Sequence, residues 1–502
     1  MTVLHLTTAT DQVTVRRGDR YRVLLGALII QLILGTVYGY SIFWQPLQSE
    51  LGLTPSLANY AFAICILSFA VTMVIAGRLQ DVAGPRIPAL IGAVLMGAGF
   101  LVAAFVRSNL VFYIAHAAFV GAMALILLMI YHTVAARWAR TDLPILRSAP
   151  LAITAFAITT GVLLGQQYVG RLGELDQVFV LWGTLGFLAG AGIGFGYVCP
   201  IAALVKWFPR QKGLVAGIAV AGFGLGAYFF SNKNLPFSAE NFIRSHGITT
   251  LFLIHGLVCL LAVTAGALLL RNPPTAGPAS ASRAAGESDW QQTLRRPAFY
   301  TLWIMFFSGA MAGLMVIGIL KPFAGQQLLD AAMLRGPLDD SAKADLLARG
   351  AAAVGWLAIF NAVGRVVWGL ISDRIGRTVT FVVMFAMQAA ILFVLGMLNT
   401  ELSLAVGASL VGFNYGGIFA LFPSATADLF GSRNLGANYG WLFTSYGIAG
   451  VAGIMLWNEV AKHTSSPTIA FYIAASLCLL SAALAIGLEL AIRRQRLAPR
   501  PA

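Results

Sequence analysis

The stretch GLISDRIGRT, from Gly369 to Thr378, repeats the pattern of an earlier stretch, GRLQDVAGPR, from Gly77 to Arg86. Each has the spacing G-x-x-x-D-x-x-G and follows a long apolar run. A second pair, GFGYVCP from Gly194 and GFNYGGI from Gly412, also shares its first glycine, its phenylalanine and its tyrosine. Internal repetition of this kind predicts a chain built from two related halves.

The composition places these halves in a membrane. The chain has 502 residues, of which 59% are hydrophobic and 10% charged, whereas soluble domains carry about 25% charged residues. Apolar stretches near the ~20 residues of a membrane-spanning helix recur along the chain, and alternation of period two is too rare for a transmembrane barrel. We predict fourteen spans, at 23–43, 59–77, 87–105, 111–136, 149–168, 178–205, 214–230, 250–270, 299–320, 351–371, 379–397, 402–426, 435–457 and 469–492.

The spacing of the repeats predicts an insertion in the first half. The aspartates Asp81 and Asp373 are offset by 292 residues (373 − 81), and the tyrosines Tyr197 and Tyr415 by 218 (415 − 197). The first half therefore holds about 74 extra residues (292 − 218), which matches the two spans within 111–168. We predict an all-α polytopic protein with six plus six core helices and this inserted pair. The predicted segments are an N-terminus 1–22, a first half 23–271, a linker 272–298, a second half 299–492 and a tail 493–502.

Lysine and arginine set the orientation. Every second loop is basic, as are both termini, and such loops face the cytoplasm. We therefore expect a multi-pass protein of the cell inner (plasma) membrane with both termini cytoplasmic. The net charge of +14 then reflects topology, and we expect no nucleic-acid partner.

The paired loops resemble the signature between the second and third helices of each half in the major facilitator superfamily. The first copy departs from the pattern at Val82 and Pro85, and the second is close to it. The stretches from Gly196 to Ala227 and from Gly412 to Gly450 are also similar to those of the oxalate/formate antiporter family, whose relatives include the monocarboxylate transporters. The resemblance implies secondary transport of small carboxylates by two halves that rock about a central site. It also implies that charged residues of the paired loops act as gates. The alternative is that these residues only fix the orientation of the helices in the membrane. The loop residues concerned are Asp81, Arg86, Asp373, Arg374 and Arg377.

Arg365 is the only Lys, Arg, Asp or Glu deep within a predicted span. It lies eight residues before Asp373, roughly 12 Å along a helix and near the middle of a ~30 Å hydrocarbon layer. A cation there costs ~2.5 kcal/mol or more. Either the side chain snorkels or caps backbone carbonyls, or the substrate is its counter-ion. A guanidinium binds a carboxylate bidentately, and the resemblance implies that an arginine at this place in the eighth core helix grips the substrate carboxylate.

Two departures from the family refine the expected substrate and coupling. Oxalate carriers of the family have a lysine where this chain has Tyr446. One cation and one hydroxyl favour a monocarboxylate such as formate, pyruvate or lactate over a dicarboxylate such as oxalate, although Tyr446 could also be a packing aromatic. Proton-coupled monocarboxylate transporters have an aspartate where this chain has Asn361, which cannot titrate. Exchange or uniport is therefore favoured over proton symport; the other titratable candidates within spans are His116, His132 and His255.

Glycine-rich helices supply further candidates for the substrate site, because backbones approach closely there and polar side chains stand out. These are Asn414 and Tyr415, with Tyr197 as the counterpart in the first half. Tyr38 is a candidate in the first span, where aromatic residues of the membrane interface are also expected. The repeat counterpart of Arg365 is Met73 (365 − 292), so charge is asymmetric between the halves.

The sequence shows no pattern that predicts an enzyme. Neither a Ser/His/Asp set, nor Cys/His metal spacing, nor a phosphate-binding glycine loop occurs, so we expect no catalytic residues, no metal, no cofactor and no ATP-driven pump. The expected partners are a small carboxylate anion and the lipid bilayer, and we expect a monomer. The competing class is a membrane receptor that senses a carboxylate without transporting it.

Overall fold

The computed structural model describes residues 17–43, 46–47, 55–105, 180–231, 235–236, 238–274, 287–464 and 468–497. Twelve stretches of these residues form helices long and apolar enough to cross a membrane. In the first half they are α1 (Arg17–Leu34), α2 (Pro55–Ala83), α3 (Arg86–Ala103), α4 (Ala189–Trp207), α5 (Lys212–Ser231) and α6 (Ala239–Leu269). In the second half they are α7 (Pro297–Met333), α8 (Ala351–Ile375), α9 (Arg377–Leu395), α10 (Glu401–Phe430), α11 (Leu435–His463) and α12 (Thr468–Leu497).

The predicted all-helical class with two groups of six core helices is confirmed. The remaining two of the fourteen predicted spans, the inserted pair within 111–168, lie outside the described residues.

Two segments differ from the predicted spans. The first span continues beyond α1 as a 3-10 helix, Gly35–Phe43, which brings Tyr38 into a tighter turn. The segment between the predicted spans 299–320 and 351–371 is largely helical, because α7 runs on to Met333 and a separate short helix spans Asp340–Arg349. The Asp339 side chain caps that short helix by accepting a hydrogen bond from Ala342 N at 2.7 Å, a contact that stabilises a helix start.

Paired glycines allow the two halves to approach each other closely. A methyl group on Gly77 in α2 would overlap the Gly436 carbonyl oxygen in α11, and one on Gly369 in α8 would overlap the Gly213 carbonyl oxygen in α5. The same arrangement therefore occurs twice, once for each crossing between the halves. Small residues of this kind let membrane helices pack backbone to backbone.

A short helix, Trp290–Arg295, lies within the predicted linker 272–298 and marks one end of the bundle. Ser288 N donates to the Phe430 carbonyl at the end of α10, and the Trp290 ring stacks on Trp441 of α11 with centroids 5.8 Å apart. We call this the linker end.

Candidate functional site

Arg365 is completely buried at the contact between the halves. Its side chain is 0% exposed and is the only charged one among the buried polar residues that the structure describes. Nε donates to Asn361 Oδ1 at 3.1 Å, one turn earlier in α8, and Nη1 donates to the Val220 carbonyl of α5 at 2.6 Å. Nη2 makes no hydrogen bond with any described residue, and none of the ion pairs in the described ranges includes this guanidinium.

Glycines position this side chain. A methyl group on Gly217 would overlap the Arg365 carbonyl oxygen, and one on Gly364 would overlap the carbonyl oxygen of Phe413 in α10. Helix α8 therefore lies directly against α5 on one side and α10 on the other. This proximity lets the guanidinium reach the Val220 carbonyl in the opposite half.

A cluster of aromatic rings surrounds the guanidinium. The Arg365 Cζ atom lies 4.7 Å from the ring centroid of Phe419 and 5.8 Å from that of Phe223, distances at which a ring face attracts a cation. We call the whole set the central aromatic cluster, and its members come from both halves: Tyr38, Phe69, Tyr197, Phe223, Phe306, Tyr415, Phe419, Tyr439, Phe443 and Tyr446.

Three of the tyrosines form a chain of hydroxyls across the cluster. The hydroxyls of Tyr38 and Tyr446 lie 2.7 Å apart, and the Tyr415 hydroxyl lies 3.5 Å from that of Tyr446. Tyr38 therefore faces the interior of the bundle and not the membrane interface. Because Tyr38 belongs to the first half and Tyr446 to the second, this chain bridges the halves as the Arg365–Val220 bond does.

Two further tyrosines carry buried hydroxyls that interact with each other and have no other hydrogen-bond partner in the described part of the chain. These are Tyr197 in α4 and Tyr439 in α11, and their side chains are 1% and 0% exposed. Asn414 is also buried with an unpartnered amide, but it has no hydrogen bond or ring contact to the central aromatic cluster among the contacts of the described residues.

Several members of the cluster were not predicted as site residues from the sequence, although the sequence contained a signal for them. Tyr439, Phe443 and Tyr446 recur at the i, i+4, i+7 spacing of one helix face. Phe69 is the repeat counterpart of Asn361 at the 292-residue offset (361 − 69). The contact with the Val220 carbonyl had no sequence signal, because a backbone group carries no residue type.

At the linker end, each repeated aspartate binds a helix start in the opposite half. Asp373 of α8 accepts hydrogen bonds from Gly213 N at 2.9 Å and Leu214 N at 2.8 Å, in the first turn of α5. Asp81 of α2 accepts from Gly436 N at 3.2 Å and Ala437 N at 2.7 Å, in the first turn of α11. A carboxylate satisfies free N–H groups at a helix N-terminus and interacts favourably with the helix dipole, so both contacts hold this end closed.

The basic loop residues have different neighbours. Arg377 pairs with Asp373 and with Asp428 of α10, each at 2.8 Å. Arg86 donates to the Leu270 carbonyl at 2.6 Å within its own half. Arg374 is exposed and forms no ion pair with any residue in the described ranges.

His255 lies outside the central aromatic cluster. Its Nε2 is 3.1 Å from the Thr36 hydroxyl and 3.4 Å from the Cys259 sulfur, and its ring packs edge-on against Phe100 with centroids 4.6 Å apart. All four residues belong to the first half, so these contacts fit a packing role. His116 and His132 lie outside the described residues.

Together these groups can bind a small anion. A guanidinium offers a free Nη2 edge, the hydroxyls of the central aromatic cluster offer hydrogen bonds, and the rings exclude water. Among the described residues, no group of three His, Cys, Asp or Glu side chains could hold a metal ion.

Comparison with known proteins identifies a family that the chain matches. Residues 146–338 and 343–502 match the family model described as Major Facilitator Superfamily. The chain is 28% identical over 438 residues to the uncharacterized MFS-type transporter YhjX of Escherichia coli (strain K12), a match that covers 86% of each chain. It is 25% identical over 481 residues to the Oxalate:formate antiporter of Oxalobacter formigenes, covering 95% of this chain and 93% of the relative.

The fold also matches that of a solved structure. A bacterial homologue of the iron transporter ferroportin in the outward-facing state superposes with a TM-score of 0.57, at 12% identity, over 95% of this chain and 100% of that one. At this identity the likeness concerns the fold alone.

Proposed function

The chain belongs to the Major Facilitator Superfamily and is a multi-pass membrane transporter, and we propose that it moves small carboxylate anions by alternating access. The observation that carries the proposal is Arg365, a completely buried cation with a free Nη2 edge and only neutral hydrogen-bond partners among the described residues. A buried charge is normally paired. A substrate carboxylate would supply the missing partner.

A monocarboxylate such as formate, pyruvate or lactate fits this site best. The central aromatic cluster offers one cation, and Tyr446 presents a hydroxyl where oxalate carriers of the family have a second cation. The other carboxylate of a dicarboxylate would meet hydroxyls and rings, which do not neutralise it. An exchanger of oxalate or another dicarboxylate is the alternative, favoured by the similarity to the Oxalate:formate antiporter across 95% of this chain.

We favour exchange or uniport over proton symport. The residue one turn before Arg365 is Asn361, whose amide oxygen accepts from Nε at 3.1 Å and cannot release or take up a proton. His255 contacts Thr36 and Cys259 and not Arg365.

The proposed setting is the plasma membrane, with the linker end and both termini on the cytoplasmic side. Basic residues concentrate in the loops of this end, as the positive-inside rule requires. The two transmembrane halves, 23–271 and 299–492, would then rock about the central aromatic cluster while the linker 272–298 stays cytoplasmic.

The test compares wild type with Arg365→Ala and Arg365→Lys. Purified protein is titrated with formate, pyruvate, lactate and oxalate, and uptake of the labelled anions into proteoliposomes is measured. Removing one member of a buried ion pair costs ~3–5 kcal/mol, so affinity should fall by roughly two to four decades in Arg365→Ala. Arg365→Lys should fail nearly as badly, because an ammonium lacks the forked geometry.

The matched control is Arg335→Ala, which removes an exposed arginine after α7 and should leave binding unchanged. Equal binding by wild type and Arg365→Ala would show that the arginine is structural. Binding without uptake would favour a receptor over a transporter.

A further inference from the structure

The 3-10 helix Gly35–Phe43 decides where the Tyr38 hydroxyl lies. It continues the first span for nine residues, although 3-10 runs longer than about four residues are uncommon. A 3-10 helix turns about 20° further per residue than an α-helix. With α-helical geometry the Tyr38 side chain, four residues after the end of α1, would therefore point roughly 80° away from its present direction. The 3-10 geometry is what brings its hydroxyl to 2.7 Å from that of Tyr446.

Thr36, the second residue of this 3-10 helix, ties its start to α6. The Thr36 hydroxyl oxygen lies 2.7 Å from the Ile33 carbonyl oxygen and 3.1 Å from His255 Nε2. A carbonyl can only accept, so the single hydroxyl hydrogen is donated to Ile33 and the Thr36 oxygen accepts from His255. The imidazole hydrogen therefore lies on Nε2. The Cys259 sulfur, 3.4 Å from the same nitrogen, is a second and weaker acceptor.

Two shared rings link the imidazole to the far end of the 3-10 helix. The His255 ring packs against Phe100 and Phe230, with centroids 4.6 and 4.7 Å away. The Phe43 ring, at the end of the 3-10 helix, packs against the same two rings at 6.4 and 5.9 Å. The 3-10 helix is thus attached to the first half at both ends. Tyr38 lies between these attachments and contacts the second half.

We propose that His255, beyond its packing contacts, is a positioning residue of the substrate site. Through Thr36 it holds the start of the 3-10 helix, and the 3-10 helix directs the Tyr38 hydroxyl across the halves to Tyr446. A hydroxyl that accepts one hydrogen bond donates the next more strongly, so Tyr446 paired with Tyr38 is a better donor to a substrate carboxylate. This effect on the carboxylate rests on the proposed function, whereas the orientation of Tyr38 does not.

The orientation of Tyr38 can be measured without a substrate. 3-Fluorotyrosine replaces Tyr38 in the full-length protein, and its fluorine NMR signal is recorded. His255→Leu and Thr36→Val each remove one partner of the hydrogen bond and should move or split this signal. His255→Gln keeps an N–H donor near the position of Nε2, and Thr36→Ser keeps the hydroxyl, so both should retain the wild-type signal. The matched control is His246→Leu, which removes an exposed histidine of α6 and should change nothing.

Formate titrations of the same proteins give the second readout. Weakening one neutral hydrogen bond should lower formate affinity roughly two- to tenfold in His255→Leu, and His255→Gln should restore it. The loss should disappear in a Tyr38→Phe background, because the effect of His255 passes through the Tyr38 hydroxyl. A histidine that only stabilises the fold would lower the affinity equally in both backgrounds.

The two readouts separate the positioning role from the proposed function. An unchanged fluorine signal in both His255→Leu and Thr36→Val would overturn the positioning role, whatever the titrations show. Equal affinity losses with and without the Tyr38 hydroxyl would overturn it as well. If the fluorine signal moves but wild type and Arg365→Ala bind formate alike, His255 still positions Tyr38 and the proposed function fails.

Discussion

Asp373→Asn should open the linker end. In the structure the Asp373 side chain is 8% exposed and joins α8 of the second half to the first turn of α5 in the first half, through two hydrogen bonds of 2.9 and 2.8 Å. Asparagine keeps the shape but loses the charge and one of the two acceptor oxygens. The variant therefore weakens a contact between the halves and leaves the central aromatic cluster untouched.

The contacts give the size of the effect. A hydrogen bond to a charged group contributes about 1.5–3 kcal/mol, and a carboxylate at a helix N-terminus adds ~0.3–1 kcal/mol. Since asparagine retains one weaker bond, the closed arrangement should lose about 2–4 kcal/mol. This loss shifts the equilibrium between closed and open linker ends by roughly 30- to 700-fold.

The assay measures the distance between the halves at this end. Nitroxide labels are attached at Arg210→Cys in the first half and Arg433→Cys in the second, both exposed positions, while the four native cysteines are buried and react poorly. Pulsed electron paramagnetic resonance should show one short distance in the parent protein and a second, longer distance in Asp373→Asn. Substrate affinity should move little while the transport rate falls.

The matched control is Asp428→Asn. Asp428 pairs with Lys212 and Arg377 at 2.8 Å in each case, but its side chain is 37% exposed, and exposed ion pairs contribute only ~0–1 kcal/mol. Equal distance changes in Asp428→Asn and Asp373→Asn would refute the assignment of the effect to the helix start. So would an unchanged distance distribution in Asp373→Asn, or a large loss of affinity with normal turnover.

Two further substitutions test the site and the packing that positions it. Tyr446→Lys should shift preference from formate toward oxalate in competition binding, because it adds a second cation to the site. Tyr446→Phe removes the hydroxyl without adding charge, so it should not shift the preference toward oxalate. An unchanged preference in the lysine variant would contradict the argument that the site holds one cation. Gly217→Ala should lower both thermal stability and carboxylate affinity, because its methyl group overlaps the Arg365 carbonyl oxygen and overpacking typically costs ~1–3 kcal/mol. Gly355→Ala is its control, since a Cβ there meets no atom within 4 Å, and equal effects of the two alanines on melting temperature and affinity would argue against the close contact.

Much of the architecture could be predicted from the sequence, because it depends on local signals. The length of the apolar stretches predicts the twelve described spans, and the 292-residue offset between the repeated aspartates relates the two halves from the sequence alone. The depth of Arg365 followed from its distance to Asp373, and its contact with Asn361 is the ordinary i,i+4 neighbour relation of a helix.

The contacts between the halves could not be predicted in the same way. The sequence predicts Asp373 only as a gating residue of its loop, yet its carboxylate binds backbone N–H groups 160 and 159 residues away in sequence. Such contacts depend on how two helix ends meet, and any residue type can supply the N–H. Tyr38 was also ambiguous, because an aromatic near a span end fits both the membrane interface and an interior site until the 3-10 turn fixes its direction.

Arg365 is the one completely buried arginine among the described residues, and under the proposed function its charge determines how membrane voltage acts on the protein. An empty site carries the +1 charge of Arg365, a site loaded with a monocarboxylate is neutral, and one loaded with a dicarboxylate carries −1. Moving one elementary charge across the whole membrane changes its electrical energy by about 2.3 kcal/mol for each 100 mV of membrane potential. Under the proposed function, voltage therefore acts on the step in which the empty site reorients and not on the step loaded with a monocarboxylate, so the exchange of two monocarboxylates would need no electrical work in either direction.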